Sequence, residues 1–225
     1  MTALTPNRMG WEAQELNAVS LVFVDFCAPD VTALDIGAGE GLASRAAVAA
    51  GARVFANDLR TVEIFGAISK PGRFPRDIAF DPESLDAVHS SSVFHFLNGK
   101  DLARGFRLIA RWLRPGGKLF VHAASPYQAP FADFVPEYER RVAAGEPWPG
   151  WVPKIARYSA HRKLGQMPGS IHLLDDRVLR REAEAAGLAV ERAFLYRRDD
   201  LPRSLHLDGR ECAGLIARKD ACKAS

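Results

Sequence analysis

Apolar residues recur along this 225-residue chain with two alternating periods. In residues 11–27, Leu16, Val19, Phe23 and Phe26 fall three and four apart, which predicts an amphipathic helix stopped by Pro29. The apolar run VTALDI, residues 31–36, then reads as a buried strand. LASRAAVAAG reads as a helix closed by Gly51, because glycine readily takes the left-handed conformation just past a helix end. ARVFAND reads as a second strand, and the turns of residues 59–80 keep any element there short. SLDAVHSSS is a further strand, KDLARGFRLIARWLR a helix running to Pro115-Gly116-Gly117, and KLFVHAAS the strand after it. Alternation of strand, helix and strand from residue 31 to 124 predicts an α/β chain, a mostly parallel, doubly wound sheet with helices on both faces.

Residues 126–172 break that rhythm with prolines and aromatics, and a stretch of this length inside a compact domain usually has a function. It is expected to be a cap inserted into a single domain spanning residues 1–225. Its aromatics, Tyr127, Phe131, Phe134, Tyr138, Trp148, Trp151 and Tyr158, either roof a pocket for a flat or apolar ligand or pack the insertion as a satellite core. Regularity returns with DDRVLRREAEAAG, where Asp175 or Asp176 suits a helix start and Gly187 its end. LAVERAFLYR and ECAGLIARK are two late strands able to pair antiparallel.

Composition narrows the class without deciding it. The 30 basic and 27 acidic side chains give a net charge of +3, too small and too dispersed to point to nucleic acid. Arg104, Arg107, Arg111 and Arg114 share one helical face, which is either solvated or meets an anionic partner. Cys27, Cys212 and Cys222 form no CxxC pair and have no histidine at metal-ligand spacing, so no metal is expected and reduced thiols of a cytoplasmic protein are. The N-terminal residues lack the apolar core of a signal peptide, and no run approaches the ~20 apolar residues of a membrane span, so no membrane partner is expected.

The chemistry centres on ALDIGAGEGLA, residues 33–43. Glycines between a parallel strand and its helix let the main chain touch a ligand and aim helix N-terminal amides at it. Asp58 follows Gly39 by 19 residues, at the end of the second strand, where a carboxylate can accept both hydroxyls of a ribose. Together these features favour a nucleoside cofactor. A dinucleotide fingerprint needs a small residue where this chain has Leu42, and its third glycine, Gly41, comes one position early.

LDIGAGEG instead resembles the first motif of the class I S-adenosylmethionine-dependent methyltransferases. FANDL is similar to that family's second motif, LDAVHSSSVFHFL to its fourth-strand segment, and IARWLRPGGKLFV to the helix, turn and fifth strand that follow. AEAAGLAVERAFLY and CAGLIARK resemble its last helix and last two strands, and the runs GRFP, WPG and LDGRE are similar to a set of bacterial methyltransferases.

The resemblance implies a seven-stranded Rossmann-like sheet and S-adenosyl-L-methionine as cofactor. It also implies methyl transfer by in-line displacement, and residues 126–172, which would make a lid rather than an open groove, point to a small-molecule acceptor. Asp35 would position the cofactor's amino group, Gly37, Gly39 and Gly41 would line its methionine portion, and Asp58 with Leu59 would hold the ribose. Ser90 and Ser91 would approach the sulfonium, and Arg8, beside Trp11, would reach the methionine carboxylate unless the N-terminus is frayed. The family usually has a full helix and an acid near the adenine between the second and fourth strands; here Asp77 is the acid so placed. His95, just after the fourth strand, is the candidate general base or substrate contact, with a helix-start histidine bonded to backbone as the alternative. His122 fits a polar core role and His89 a structural one. A nicotinamide-dependent oxidoreductase and a catalytically silent cofactor-binding module remain the rival readings.

Overall fold

The computed structural model describes residues 15–158 and 169–221. Helix α1 (Ala18–Phe26) starts later than its apolar period implies, because Asn17 is extended and its side-chain oxygen accepts the Val19 and Ser20 N–H groups. Strand β1 (Thr32–Ile36), helix α2 (Leu42–Ala49) and strand β2 (Arg53–Asn57) follow as the sequence predicts. The region of glycine and proline turns contributes only β3 (Ile68–Ser69). Strand β4 (Leu85–Ser91) leads into a 3-10 turn (Phe94–Phe96) and helix α3 (Gly99–Trp112). That helix ends before the expected Pro115-Gly116-Gly117, which belongs to strand β5 (Leu113–Ala124). The residue ahead of a proline is pushed out of the helical region, so Arg114 leaves the arginine face and pairs with Asp86.

Between β5 and the last elements lie helix α4 (Val135–Ala143) and a small antiparallel pair, β6 (Trp151–Val152) with β7 (Ile171–His172). Tyr127, Phe131, Phe134 and Tyr138 bury themselves with Val152, Ile155, Ile171 and Leu173. These four, with Tyr158 against them, form a core of their own, whereas Trp148 packs on the main core and Trp151 stands edge-on to His172. Helix α5 (Asp176–Ala185), capped by Asp175, and strands β8 (Leu188–Tyr196) and β9 (Cys212–Lys219) complete the chain.

Seven strands form one sheet in the order β3-β2-β1-β4-β5-β9-β8. The first five run parallel, and β9 is antiparallel to both of its neighbours. Alternation along the strands divides the core. Leu34, Ile36, Val88, Leu119 and Val121 face α3 and α5, whereas Ala33, Ala87, Val54 and Phe120 face α1 and α2. Asp35 falls on the α1 side opposite His89 of β4. Two polar side chains in register on a buried sheet face must satisfy each other or a neighbour. Among the described residues no helix is long and apolar enough to cross a membrane.

Candidate functional site

Chain order reverses direction across the sheet between β1 and β4, and at such a point the loops leaving the two strands part and open a crevice at their carboxyl ends. A cavity of about 430 Å³ lies there, within the size range of small-molecule and cofactor sites. Its wall comes from the turn after β1, the ends of β2 and β4, the start of α1 and the segment around residue 73.

The three glycines of the first turn serve different ends. All have positive φ. A side chain at Gly37 would put Cβ 2.1 Å from Val93, and one at Gly41 would put it 2.5 Å from Ile64, so at either position the packed neighbour would have to shift. Only Gly39 would meet nothing within 4 Å. Gly37 and Gly39 line the cavity, whereas Gly41 caps α2 away from it. Leu42 is part of the wall, where a dinucleotide fold would place a small residue.

Asn57 and Asp58 fix the opposite side. The Asn57 carbonyl accepts the Gly37 and Ala38 N–H groups at 2.9 and 2.8 Å, and its amide donates to the carbonyls of Lys70 and Gly72 at 2.8 and 2.9 Å. This ties residues 70–72 to the end of β2 and brings Gly72, Arg73, Phe74 and Arg76 to the cavity in place of a full helix. The Asp58 carboxylate, 8% exposed, accepts from Gly39 N–H at 3.1 Å and Leu59 N–H at 2.7 Å, and both Asp58 and Leu59 line the cavity. Asp77 does not reach it. Its carboxylate accepts the Arg73 N–H at 3.2 Å and pairs with the Arg73 guanidinium at 3.5 Å, closing a local turn. The acid at this rim is Asp101, held below its ordinary pKa mainly by its hydrogen bond from Arg76.

Beneath the methionine side expected from the first motif runs a buried hydrogen-bonded line. Asp35, 2% exposed, accepts from Ser44 Oγ at 2.6 Å and pairs with His89 Nδ1 at 2.8 Å. His89 Nε2 lies 2.9 Å from Ser20 Oγ. Asn17 Nδ2 donates to Ser20 Oγ at 2.8 Å and to Ser91 Oγ at 3.0 Å. Asn17, Ser20, Asp35, His89 and Ser91 all border the cavity. Ser90, expected to approach the sulfonium, is fully buried off the cavity wall, its hydroxyl turned to the Ile36 carbonyl at 3.4 Å, and Ser91 borders the cavity in its place. Neither Asn17 nor Ser20 stands out in sequence except as a helix cap and its partner, and the reach of Ser20 to His89 spans 69 positions.

His95 lies off the cavity wall and is 6% exposed. Its Nδ1 accepts the Ala124 N–H at 3.2 Å, which leaves the proton on Nε2. Burial, with His172 nearby, lowers its pKa to about 3. A ring whose lone pair is occupied by backbone does not fit the expected general base. His122 pairs through Nδ1 with the Tyr196 hydroxyl at 2.6 Å and is held well below its ordinary pKa first by burial, then by Arg198. Arg8 and Trp11 lie outside the described residues. Among the described residues no group of three or more histidine, cysteine or acidic side chains could hold a metal ion.

Comparison with known proteins gives the arrangement a context. A family model described as a methyltransferase domain matches residues 34–121. An S-adenosylmethionine-dependent methyltransferase from Mesorhizobium loti is similar at 18% identity and TM-score 0.62, over 90% of this chain and 98% of its own. A protein from Methanosarcina mazei described in the same terms is similar at 15% identity and TM-score 0.63, over 89% and 97%. The Burkholderia thailandensis 1,6-didemethyltoxoflavin-N1-methyltransferase, solved with 1,6-didemethyltoxoflavin and S-adenosylhomocysteine bound, is similar at 14% identity and TM-score 0.60, over 91% and 78%. No curated protein sequence matches the chain significantly.

Proposed function

The chain carries a methyltransferase domain and has the fold of the class I S-adenosylmethionine-dependent methyltransferases, and we propose that it methylates a small-molecule acceptor by in-line displacement. The observation that carries this reading is the juxtaposition, across one crevice, of an open main-chain turn at Gly39 with the Asp58 carboxylate. The residues present suit the cofactor. Asp58 and Leu59 would hold its ribose, Gly72, Arg73 and Phe74 would border the adenine side, and the main chain at residues 37–39 would carry its methionine portion toward Asp35 and Ser91.

When bound, S-adenosylmethionine supplies a methyl group already activated by the positive sulfonium. The protein's part is to align the acceptor at ~3 to 3.5 Å and to exclude water. Leu16, Val93, Phe96 and Leu97 give the wall an apolar stretch suited to a small organic acceptor. Residues 126–172 would act as the cap on this side. His172 Nδ1 donates to the Leu97 carbonyl at 3.0 Å, so the segment is tied to the cavity rim while its aromatics stabilise it internally.

The test has two stages. S-adenosylhomocysteine should raise the melting temperature of the chain, since a ligand bound only by the folded state stabilises it, and nicotinamide dinucleotides should not. Labelled S-adenosylmethionine offered with fractionated metabolites should then yield a labelled small molecule. No shift with S-adenosylhomocysteine rules the cofactor out; label found only in protein or nucleic acid rules the acceptor class out.

A further inference from the structure

Three imidazoles lie on or just after the central strands, and one of them opens on the cavity. His95 has its Nδ1 occupied by Ala124 N–H, and His122 has its Nδ1 paired with Tyr196; neither borders the cavity. His89 does, together with Ser20 and Asp35.

The direction of the hydrogen bonds along this line follows from the groups at its two ends, the Asn17 amide and the Asp35 carboxylate. Asn17 Oδ1 accepts the Val19 and Ser20 N–H groups, so Nδ2 must face Ser20 Oγ as a donor. Ser20 Oγ, accepting there, has its single proton available for His89 Nε2. Nδ1 faces a carboxylate oxygen, which only accepts, so Nδ1–H donates to Asp35, and in the neutral ring Nε2 is the bare nitrogen that receives the Ser20 proton. Asp35 keeps its second oxygen on the Ser44 hydroxyl. Stacking on Phe23, with centroids 4.6 Å apart and planes 15° from parallel, holds the ring in this orientation. A serine hydroxyl at a cavity wall, an imidazole lone pair behind it and a carboxylate behind that make a path for a proton leaving the cavity.

We propose that Ser20 and His89 take up the proton lost by an acceptor O–H, S–H or N–H group on methylation. This rests on the methyltransferase reading above. As the acceptor lone pair bonds to the methyl carbon, the carbon–sulfur bond breaks with its electron pair retained by sulfur. The acceptor proton passes to Ser20 Oγ while the proton of Ser20 moves to His89 Nε2, and the imidazolium so formed stays hydrogen-bonded through Nδ1–H to Asp35. After product leaves, His89 returns the proton to solvent. The titratable and charged groups along this line are Asp35 on β1, paired with the ring, His122 on β5, Tyr196 on β8, which bonds to His122, and Cys27 at the end of α1, which senses Asp35. Burial and then Asp35 push the Cys27 thiol up to about 12, and burial keeps His122 neutral, so Asp35 is the group that answers the new charge.

Nitrogen-15 NMR on the full chain with S-adenosylhomocysteine bound, with His89 assigned by loss of its signals in His89→Gln, tests the path without an acceptor. The expected result at pH 8 is a protonated Nδ1 and a bare Nε2 whose resonance moves in Ser20→Ala. A protonated Nε2 overturns the inference while leaving the methyltransferase reading standing, whereas failure of the wild type to bind S-adenosylhomocysteine overturns both. With an acceptor from the labelled screen, Ser20→Ala and His89→Gln should each lower kcat by about 10²-fold. They should keep the KM for S-adenosylmethionine within about twofold, as loss of a proton acceptor rather than of binding requires. A raised cofactor KM with kcat intact would make the line structural only and overturn the inference.

Discussion

Gly39→Ala separates a glycine kept for a ligand from one kept for the fold. The backbone there has φ +53°, and a Cβ would meet no atom within 4 Å. An alanine therefore incurs the left-handed backbone penalty, ~1–2 kcal/mol, with no steric clash. For a chain of this size a loss of 1 kcal/mol lowers Tm by roughly 2–4 °C. Gly41→Ala carries a similar backbone penalty at φ +78°, but its Cβ would also sit 2.5 Å from Ile64 Cδ1 and 3.3 Å from the Arg45 guanidinium. Overpacking of a buried neighbour adds ~1–3 kcal/mol, so Gly41→Ala should lower Tm the more, and Ile64→Ala in the same chain should restore part of the loss. Titration calorimetry with S-adenosylhomocysteine completes the comparison. Gly39→Ala should weaken binding at least about tenfold, ~1.4 kcal/mol, because its methyl group occupies space needed by the ligand, while folded Gly41→Ala should bind nearly as wild type. Wild-type affinity in Gly39→Ala would refute the assignment of that open space to the cofactor.

Asp58→Ala should weaken S-adenosylhomocysteine binding by ~1–3 kcal/mol, the scale for stranding buried polar partners, and calorimetry showing unchanged affinity would remove Asp58 from the site. His95→Ala should lower the urea midpoint, since it strands the Ala124 N–H, but leave kcat of the folded variant nearly unchanged; a loss of kcat of about 10²-fold in this variant, ~2.7 kcal/mol, would return His95 to the chemistry. Stability should also fall as pH drops from 6.5 toward 4. The His95 and His172 pKa values in the folded chain, about 3 and about 4, are lowered chiefly by burial from an ordinary value near 6.5, so in this window the unfolded chain takes up protons that the folded one refuses. Each group removes up to ~1.4 kcal/mol per pH unit, and urea midpoints between pH 7.5 and 5, above the carboxylate range, read the effect. Equal midpoints across that range would refute the burial of neutral imidazoles.

The order of elements, the glycine turn after β1 and the carboxylate at the end of β2 were legible in the chain itself, because periodicity and turn chemistry are local. Asp175, Gly51 and Gly187 bound their helices by rules that hold within a few residues, whereas the start of α1 at Asn17 was not read from the apolar period. Asp77 was the one acid the sequence placed near the adenine edge, but in the fold its carboxylate turns to Arg73 four residues before it. The roles of the histidines were likewise closed to sequence reading. Whether an imidazole nitrogen is bare depends on which distant group donates to it: Ala124 N–H for His95, and the Ser20 hydroxyl, 69 residues away, for His89. Local pattern determined that a crevice exists and where it opens. Strand register and the packing of α1, which bring Asp35, His89 and Ser20 together, decided which groups face it, since hydrogen-bond partners so far apart in the chain meet only in the folded state.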